Sequence, residues 1–264
     1  MKQDSLRDKV VLVTGSARGI GLAIAARFGE AGAQVVLSDV QADLLEAAAA
    51  ELARRGVEVL AEVCDVSDPD ACQALVTAAV ARFGGLDVVV NNAGISIVAE
   101  FETCRPAAMK KLIDVNLLGA MYVTQAALPH VKARRGSLVF VSSVSGIRAI
   151  PQGAIYSASK AGLRSLAEAL RVELAPAGVH VGVVSPGFTT SDGAKTVMNG
   201  DGSPRPIDRP PHDTPEGVAR QVLELVARRE RERVLTPLGK ATAVLQRLSP
   251  RLVDRILQGR ELKS

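Results

Sequence analysis

KVVLVTGSARGIG, residues 9–21, decides how this chain is read. KVVLVTG is a short apolar run ended by Gly15. IGLAIAARFGEAG then carries a helical pattern closed by Gly32. A strand that stops at a glycine and feeds directly into a helix is the opening of a βαβ unit. The glycines stand at Gly15, Gly19 and Gly21, with Ala17, Arg18 and Ile20 among them. Glycine there lets the backbone turn tightly and approach a pyrophosphate. The helix N-terminus adds free N–H groups and the positive end of its dipole. The spacing GxxxGxG differs from the commoner GxGxxG, and glycines at such turns are often only structural. The position in the first βαβ unit favours the cofactor reading.

Working outward, the same alternation repeats. AQVVLSDV reads as a second strand and ADLLEAAAAELARRG as a helix with arginines in its last turn and Gly56 after it. VEVLAEVCDV, LDVVVNNAG, SLVFVSS and VHVGVVSPG read as further strands. Helices are expected over residues 108–134, 154–176 and 215–229. The strands are apolar throughout rather than alternating, as expected when both faces are covered. The expectation is an α/β fold: one Rossmann-like domain over residues 1–264, a doubly wound parallel sheet with helices on both faces. Two segments break the rhythm. Residues 188–215, rich in Pro, Gly and Asp, read as a long loop of the kind that forms lids. Residues 236–264 form a basic amphipathic tail, with Val244, Leu245, Leu248, Leu252, Val253, Ile256 and Leu257 at helical spacing and Pro250 interrupting.

Composition narrows the classes. The chain has 264 residues, 47% hydrophobic and 23% charged, an ordinary globular mix. No apolar run is long enough to span a membrane, and the polar start lacks the apolar centre of a secretory signal. The three cysteines, Cys64, Cys72 and Cys104, show no metal-ligand spacing and favour free thiols in a reducing compartment, so a cytoplasmic protein is expected. The net charge of +4 sits largely in the tail. Aromatic residues are too few to stack on bases, which argues against a nucleic-acid partner.

Asp39 closes the second strand. An acid near this place accepts hydrogen bonds from the ribose hydroxyls of NAD and repels the 2′-phosphate of NADP. Arg18 pulls the other way. NAD is favoured and NADP stays open; a turn or helix-capping role for Asp39 is the plain alternative.

Six motifs stand in order: TGSARGIG, NNAG at 91–94, Asn116, SS at 142–143, YSASK at 156–160 and SPG at 185–187. Together they resemble the short-chain dehydrogenase/reductase family over about residues 7–235. The resemblance implies that Tyr156 is the general acid/base and that Lys160, one helical turn on, stabilises its phenolate and holds the nicotinamide ribose. A nearby cation favours the ionised phenol. It implies that Ser143 binds the substrate oxygen and that Asn116 helps hold a water in a proton relay. Ser142 and Ser145 are taken as local hydrogen-bonders. Asn92, Ala93 and Gly94 would border the cofactor, Asp65 and Val66 would touch adenine, and Pro186, Gly187, Thr189 and Ser191 would lie by the nicotinamide. An Asp at 65 could equally cap the next helix. Thr189 and Ser191 depart from the aliphatic residue and threonine common there.

The expected activity is hydride transfer between a nicotinamide cofactor and an alcohol or ketone, with an apolar substrate. The alternatives are NADP-linked reduction of a 3-ketoacyl thioester and a nucleotide-binding protein that has lost catalysis. A homodimer or homotetramer is expected, and the tail leaves three roles open: capping the substrate mouth, packing on a partner, or lying on anionic lipid.

Overall fold

The structure, a computed structural model, describes residues 6–190, 196–206 and 213–261, without the side chains of 259–261. Along the chain run β1 (Val10–Thr14), α1 (Gly19–Glu30), β2 (Gln34–Asp39), α2 (Ala42–Arg54), β3 (Val59–Val63), α3 (Pro69–Phe83) and β4 (Val88–Asn91). Then come α4 (Pro106–Ile113), α5 (Gly119–Ala133), β5 (Ser137–Val141), α6 (Ala154–Glu173), β6 (His180–Ser185), β7 (Thr196–Met198) and β8 (Pro204–Pro206). The order closes with α7 (Pro215–Arg228), β9 (Glu232–Val234), α8 (Pro237–Leu248) and α9 (Pro250–Glu261).

Seven strands form one parallel sheet in the order β3-β2-β1-β4-β5-β6-β9. The order reverses between β1 and β4, and the crevice beyond the strand ends at such a switch point is where ligands bind in open α/β sheets. The continuous apolar runs follow from double coverage: β1, β4, β5 and β6 are buried at every position. Alternate side chains of each strand point to opposite faces. Val11, Val13, Val35 and Leu37 meet Ile24 and Phe28 of α1 and Val218, Val222 and Leu225 of α7. Leu12, Val36, Val89 and Phe140 meet Leu75 and Val76 of α3, Val123 and Ala127 of α5, and Leu163 of α6. At the foot of the sheet the buried Asp87 carboxylate accepts from the Val10 amide at 3.1 Å, from Lys9 at 2.9 Å and from Arg134 at 3.3 Å. A charge buried there requires such partners.

Two expectations are corrected and a third is refined. The segment 188–215 is not loop throughout, because β7 and β8 pair as a short antiparallel hairpin. A seventh strand, β9, was not anticipated; three residues with mixed burial give too little period to read. The helix expected over 108–134 is α4 and α5 joined by a π-helical turn, Asp114–Leu118, that contains Asn116. Pro250 does divide the tail, as expected: it opens α9 where its missing N–H costs nothing. The three cysteines are free and buried.

Candidate active site

The cofactor loop is built by close backbone approach. Gly15 has φ +63°, and a Cβ on it would come within 2.8 Å of the Ala93 Cα. A Cβ on Gly21 would stand 2.1 Å from the Gly15 carbonyl oxygen, so the first turn of α1 lies flat on the loop. Gly19, at φ +58°, has open space around its missing Cβ. The NNAG segment locks the loop from the next strand. The Asn92 amide donates to the Thr14 and Gly15 carbonyls at 2.9 Å each. The Thr14 hydroxyl accepts from the Asn92 and Ala93 amides, both at 3.1 Å. Thr14 belongs to this cradle and was not singled out from sequence; the signal was its place immediately before Gly15. These features fit a dinucleotide: a pyrophosphate needs open backbone N–H groups, and a side chain at Gly15 or Gly21 would fill the space instead.

Asp39 stands at the edge of that cradle, 9% exposed. One carboxylate oxygen accepts the Ala17 amide and the other the Gln41 amide, both at 3.1 Å. It therefore performs the turn role and faces the loop at once. Arg18 sits at the N-cap of α1. Asp65 is exposed and accepts from the Ser67 amide at 2.9 Å and hydroxyl at 2.7 Å. It does not cap α3; Asp68 does, accepting from the Asp70 amide at 2.9 Å. Val66 is buried against the start of α5, where a Cβ on Gly119 would meet it at 2.7 Å. Ile20 packs against the core beneath the loop.

The second cluster comes from three separate segments. Tyr156 and Lys160 share one face of α6, with the Lys160 Nζ 5.8 Å from the Tyr156 ring centroid. Ser143, at the end of β5, lies beside the Tyr156 hydroxyl and favours its ionised form. Its turn is pinned to α6: the Ser142 hydroxyl donates to the Lys160 carbonyl at 2.8 Å, and a Cβ on Gly146 would come 2.7 Å from that same oxygen. The Ser145 amide donates to the Ser143 hydroxyl at 3.1 Å, the local role expected for Ser145. The Lys160 ammonium donates to the Val141 carbonyl at 2.9 Å. Asn116 is fully buried, accepting from the Ile95 amide at 2.8 Å while donating to the Ile95 carbonyl at 2.9 Å and to Ser159 at 3.1 Å. Ser159, absent from the sequence reading, thereby links α6 to the π-turn. A Cβ on Gly94 would meet Asn116 Oδ1 at 3.3 Å and Lys160 Nζ at 3.4 Å, so the two clusters touch at Gly94.

Burial pushes the Tyr156 hydroxyl above the ordinary tyrosine value, and the neighbouring Ser143 only partly offsets it. Desolvation disfavours the phenolate. The phenol is therefore protonated at neutral pH.

Around this centre the chain forms a rim. Tyr156, Ile155, Ile95 and Met198 pack on a small apolar cluster of Ile97, Cys104, Ala108 and Leu112. The β7–β8 hairpin is tied to it by backbone: Met198 donates to Ser96 at 2.7 Å and its carbonyl accepts from Val98 at 2.9 Å. The Val144 amide donates to the Pro186 carbonyl at 3.0 Å, joining the turns after β5 and β6. The start of α8 packs on both turns: a Cβ on Gly187 would meet Thr236 at 2.8 Å, and one on Gly239 would meet Val144 at 2.6 Å. Thr189 bridges to Asp213, and its hydroxyl donates to the Gly187 carbonyl at 3.4 Å. Ser191 lies outside the described residues.

The short chain dehydrogenase family model matches residues 9–201, and the chain belongs to that family. It is an oxidoreductase with the family's Rossmann-like nucleotide-binding fold and uses a nicotinamide cofactor. Over 263 residues it is 32% identical to 11-beta-hydroxysteroid dehydrogenase 1A of Arabidopsis thaliana, covering 95% of this chain and 75% of that protein. An uncharacterized oxidoreductase of Staphylococcus aureus is 36% identical over 214 residues, 81% of this chain and 90% of that one. Among solved structures, an alcohol dehydrogenase from the archaeon Thermococcus sibiricus, complexed with 5-hydroxy-NADP, superposes with a TM-score of 0.76 at 30% identity, covering 86% of this chain and 95% of that one. A dehydrogenase/reductase from Sinorhizobium meliloti gives a TM-score of 0.75 at 29% identity over 85% of this chain and 90% of that one. No described helix is long and apolar enough to cross a membrane.

Proposed function

We propose that this chain is an NAD-dependent alcohol dehydrogenase or ketone reductase for an apolar substrate, and that Ser143, Tyr156, Lys160 and Asn116 form its catalytic site. The observation that carries this reading is the convergence of Ser143, Tyr156 and the Lys160 ammonium, with Lys160 Nζ 5.8 Å from the Tyr156 ring centroid and in reach of Gly94 of the cofactor cradle. Gly15, Ala17, Arg18, Gly19, Ile20, Gly21, Asn92, Ala93 and Gly94 hold the dinucleotide. Val66, Pro186, Gly187 and Thr189 flank it. When bound, the nicotinamide supplies the hydride acceptor or donor. Ser143 holds the substrate oxygen by hydrogen bonding as charge develops on it. Tyr156 passes its proton to that oxygen in reduction and takes it back in oxidation. Lys160 stabilises the phenolate left after proton donation, and Asn116 fixes the Ile95 backbone next to it.

The raised phenol suits the reductive direction near neutral pH, where the proton to be donated is in place. Oxidation needs the phenolate, so its rate rises as pH climbs toward the tyrosine range. For the cofactor, each Asp39 oxygen keeps a lone pair after its backbone bond, enough to accept a ribose hydroxyl. The carboxylate charge opposes a 2′-phosphate. The apolar cluster under Tyr156 and the steroid-directed plant relative both support an apolar alcohol or ketone.

The decisive test is Tyr156→Phe, assayed by absorbance of reduced nicotinamide against a panel of secondary alcohols and ketones. Loss of a general acid/base costs about 10²–10⁴ in turnover, with dinucleotide affinity retained. Near wild-type turnover removes Tyr156 from the chemistry. Asp39→Ala should narrow the preference for NAD; a wild-type preference for NADP overturns the cofactor assignment.

A further inference from the structure

The tail carries a surface that the oxidoreductase reading does not use. α8 and α9 turn Leu245, Val253 and Leu257 inward and leave Val244 at 59%, Leu248 at 78%, Leu252 at 43% and Ile256 at 44% exposure. These recur at helical spacing, Val244 with Leu248 and Leu252 with Ile256, so each pair shares one face of its helix. Between them stand the exposed cations Lys240, Arg247, Arg251 and Arg255. Asp254 is the sole acidic residue from Pro237 to Gln258. It is engaged by Arg148, which also donates to Gln246 at 3.2 Å. The two helices are thus latched to the segment that follows Ser143 and Val144.

We propose that the outer face of α8 and α9 docks on an anionic lipid surface, with the four aliphatic side chains entering the headgroup boundary and the cations meeting lipid phosphates. Apolar side chains interleaved with cations on a short helix are what a bilayer interface accommodates. Exposed aliphatic side chains repeated along two successive helices call for a partner. A second copy fits poorly, because a two-fold contact sets the same patch against itself and so brings two basic surfaces together. The length of each helix excludes spanning. The proposal uses none of the catalytic or cofactor residues, so it stands or falls apart from the enzymatic reading.

The chain contains no tryptophan, so Leu248→Trp introduces its single indole. The full-length Leu248→Trp protein is mixed with vesicles of phosphatidylcholine alone or with phosphatidylglycerol added, and the wild type is floated with the same vesicles. Expected are a blue-shifted emission and flotation with the anionic vesicles only, both reversed by high salt. Arg251→Gln and Arg255→Gln, on exposed positions that leave the fold intact by thermal melting, should each weaken partitioning about fivefold. Absence of flotation overturns the proposal, as does equal binding to both vesicle types. A blue shift that grows with protein concentration without vesicles assigns the face to a second copy and likewise overturns it.

Discussion

The cofactor cradle and the substrate rim are built by opposite means. In the cradle, backbone touches backbone: Gly15 against Ala93, and Gly21 against the Gly15 carbonyl, with Asn92 and Thr14 supplying the ties. Its parts come from the ends of neighbouring strands, β1 and β4, so the sheet itself fixes their spacing. The rim is assembled from side chains of distant segments: Ile95, Met109, Ile155 and Met198, with α8 leaning on the turns after β5 and β6. A cradle made of backbone tolerates almost no added volume. A rim made of side chains can be reshaped with little effect on the sheet. The first region should therefore fail abruptly when altered, and the second should change what it accepts.

The largest expected effect tests the cradle. Gly21→Ala places a Cβ 2.1 Å from the Gly15 carbonyl oxygen, a contact that only a backbone shift relieves. Overpacking of this kind costs about 1–3 kcal/mol, and displaced N–H groups should weaken dinucleotide affinity roughly tenfold or more. Calorimetric titration with NAD together with a thermal melt checks both. Unchanged affinity would mean that the loop is as pliable as the rim, and the contrast would be lost.

A smaller effect tests the rim. Met198→Ala removes a partly buried side chain beside Tyr156 and leaves the backbone ties to Ser96 and Val98 in place. The cost should be roughly 1–2 kcal/mol, below that of a fully buried methionine. That cost is to folding stability; separately, kcat/KM for apolar ketones should fall several-fold at unchanged dinucleotide Kd. If affinity for the dinucleotide falls instead, the hairpin supports the cradle and not the substrate.

The same contrast explains what the sequence made legible. Strand ends and glycines leave a local record, so the cradle could be read from TGSARGIG and NNAG, and the doubly wound sheet from apolar runs of constant length. Tyr156 and Lys160 were readable because an i,i+4 pair shares a helix face. The β7–β8 hairpin and β9 were not, since three-residue strands show no period. Asp39 was read as a cofactor ligand, yet its bonds to Ala17 and Gln41 depend on how two loops meet. The balance at Tyr156 also escaped the sequence. The spacing announces the Lys160 charge, while the burial that raises the Tyr156 hydroxyl depends on how the fold closes around it.

The smallest effect concerns the foot of the sheet, where β6 meets β9. His180 is buried, its Nε2 2.8 Å from the Glu230 carbonyl and its Nδ1 3.1 Å from the Ser137 hydroxyl. That carbonyl can only accept, so Nε2 carries the proton and Nδ1 accepts from Ser137. Burial, with the Arg229 and Arg171 charges, holds the imidazole below its ordinary value against the pull of the Glu230 carbonyl. The unfolded chain therefore binds this proton more readily than the folded one. Stability should fall as pH drops through the ordinary histidine range and level off below the folded-state value. The melting temperature between pH 7.5 and 5 should show the decline, and His180→Asn should flatten it. The loosening should begin locally, with β6 and β9 amides exchanging hydrogen faster, after correction for intrinsic rates, while β1 and β2 stay protected. Equal acceleration across the sheet would place the acid sensitivity elsewhere, because the hydrogen bonds of the His180 amide and ring among the described residues go to Gly136, Ser137 and Glu230, at the β5 and β9 ends.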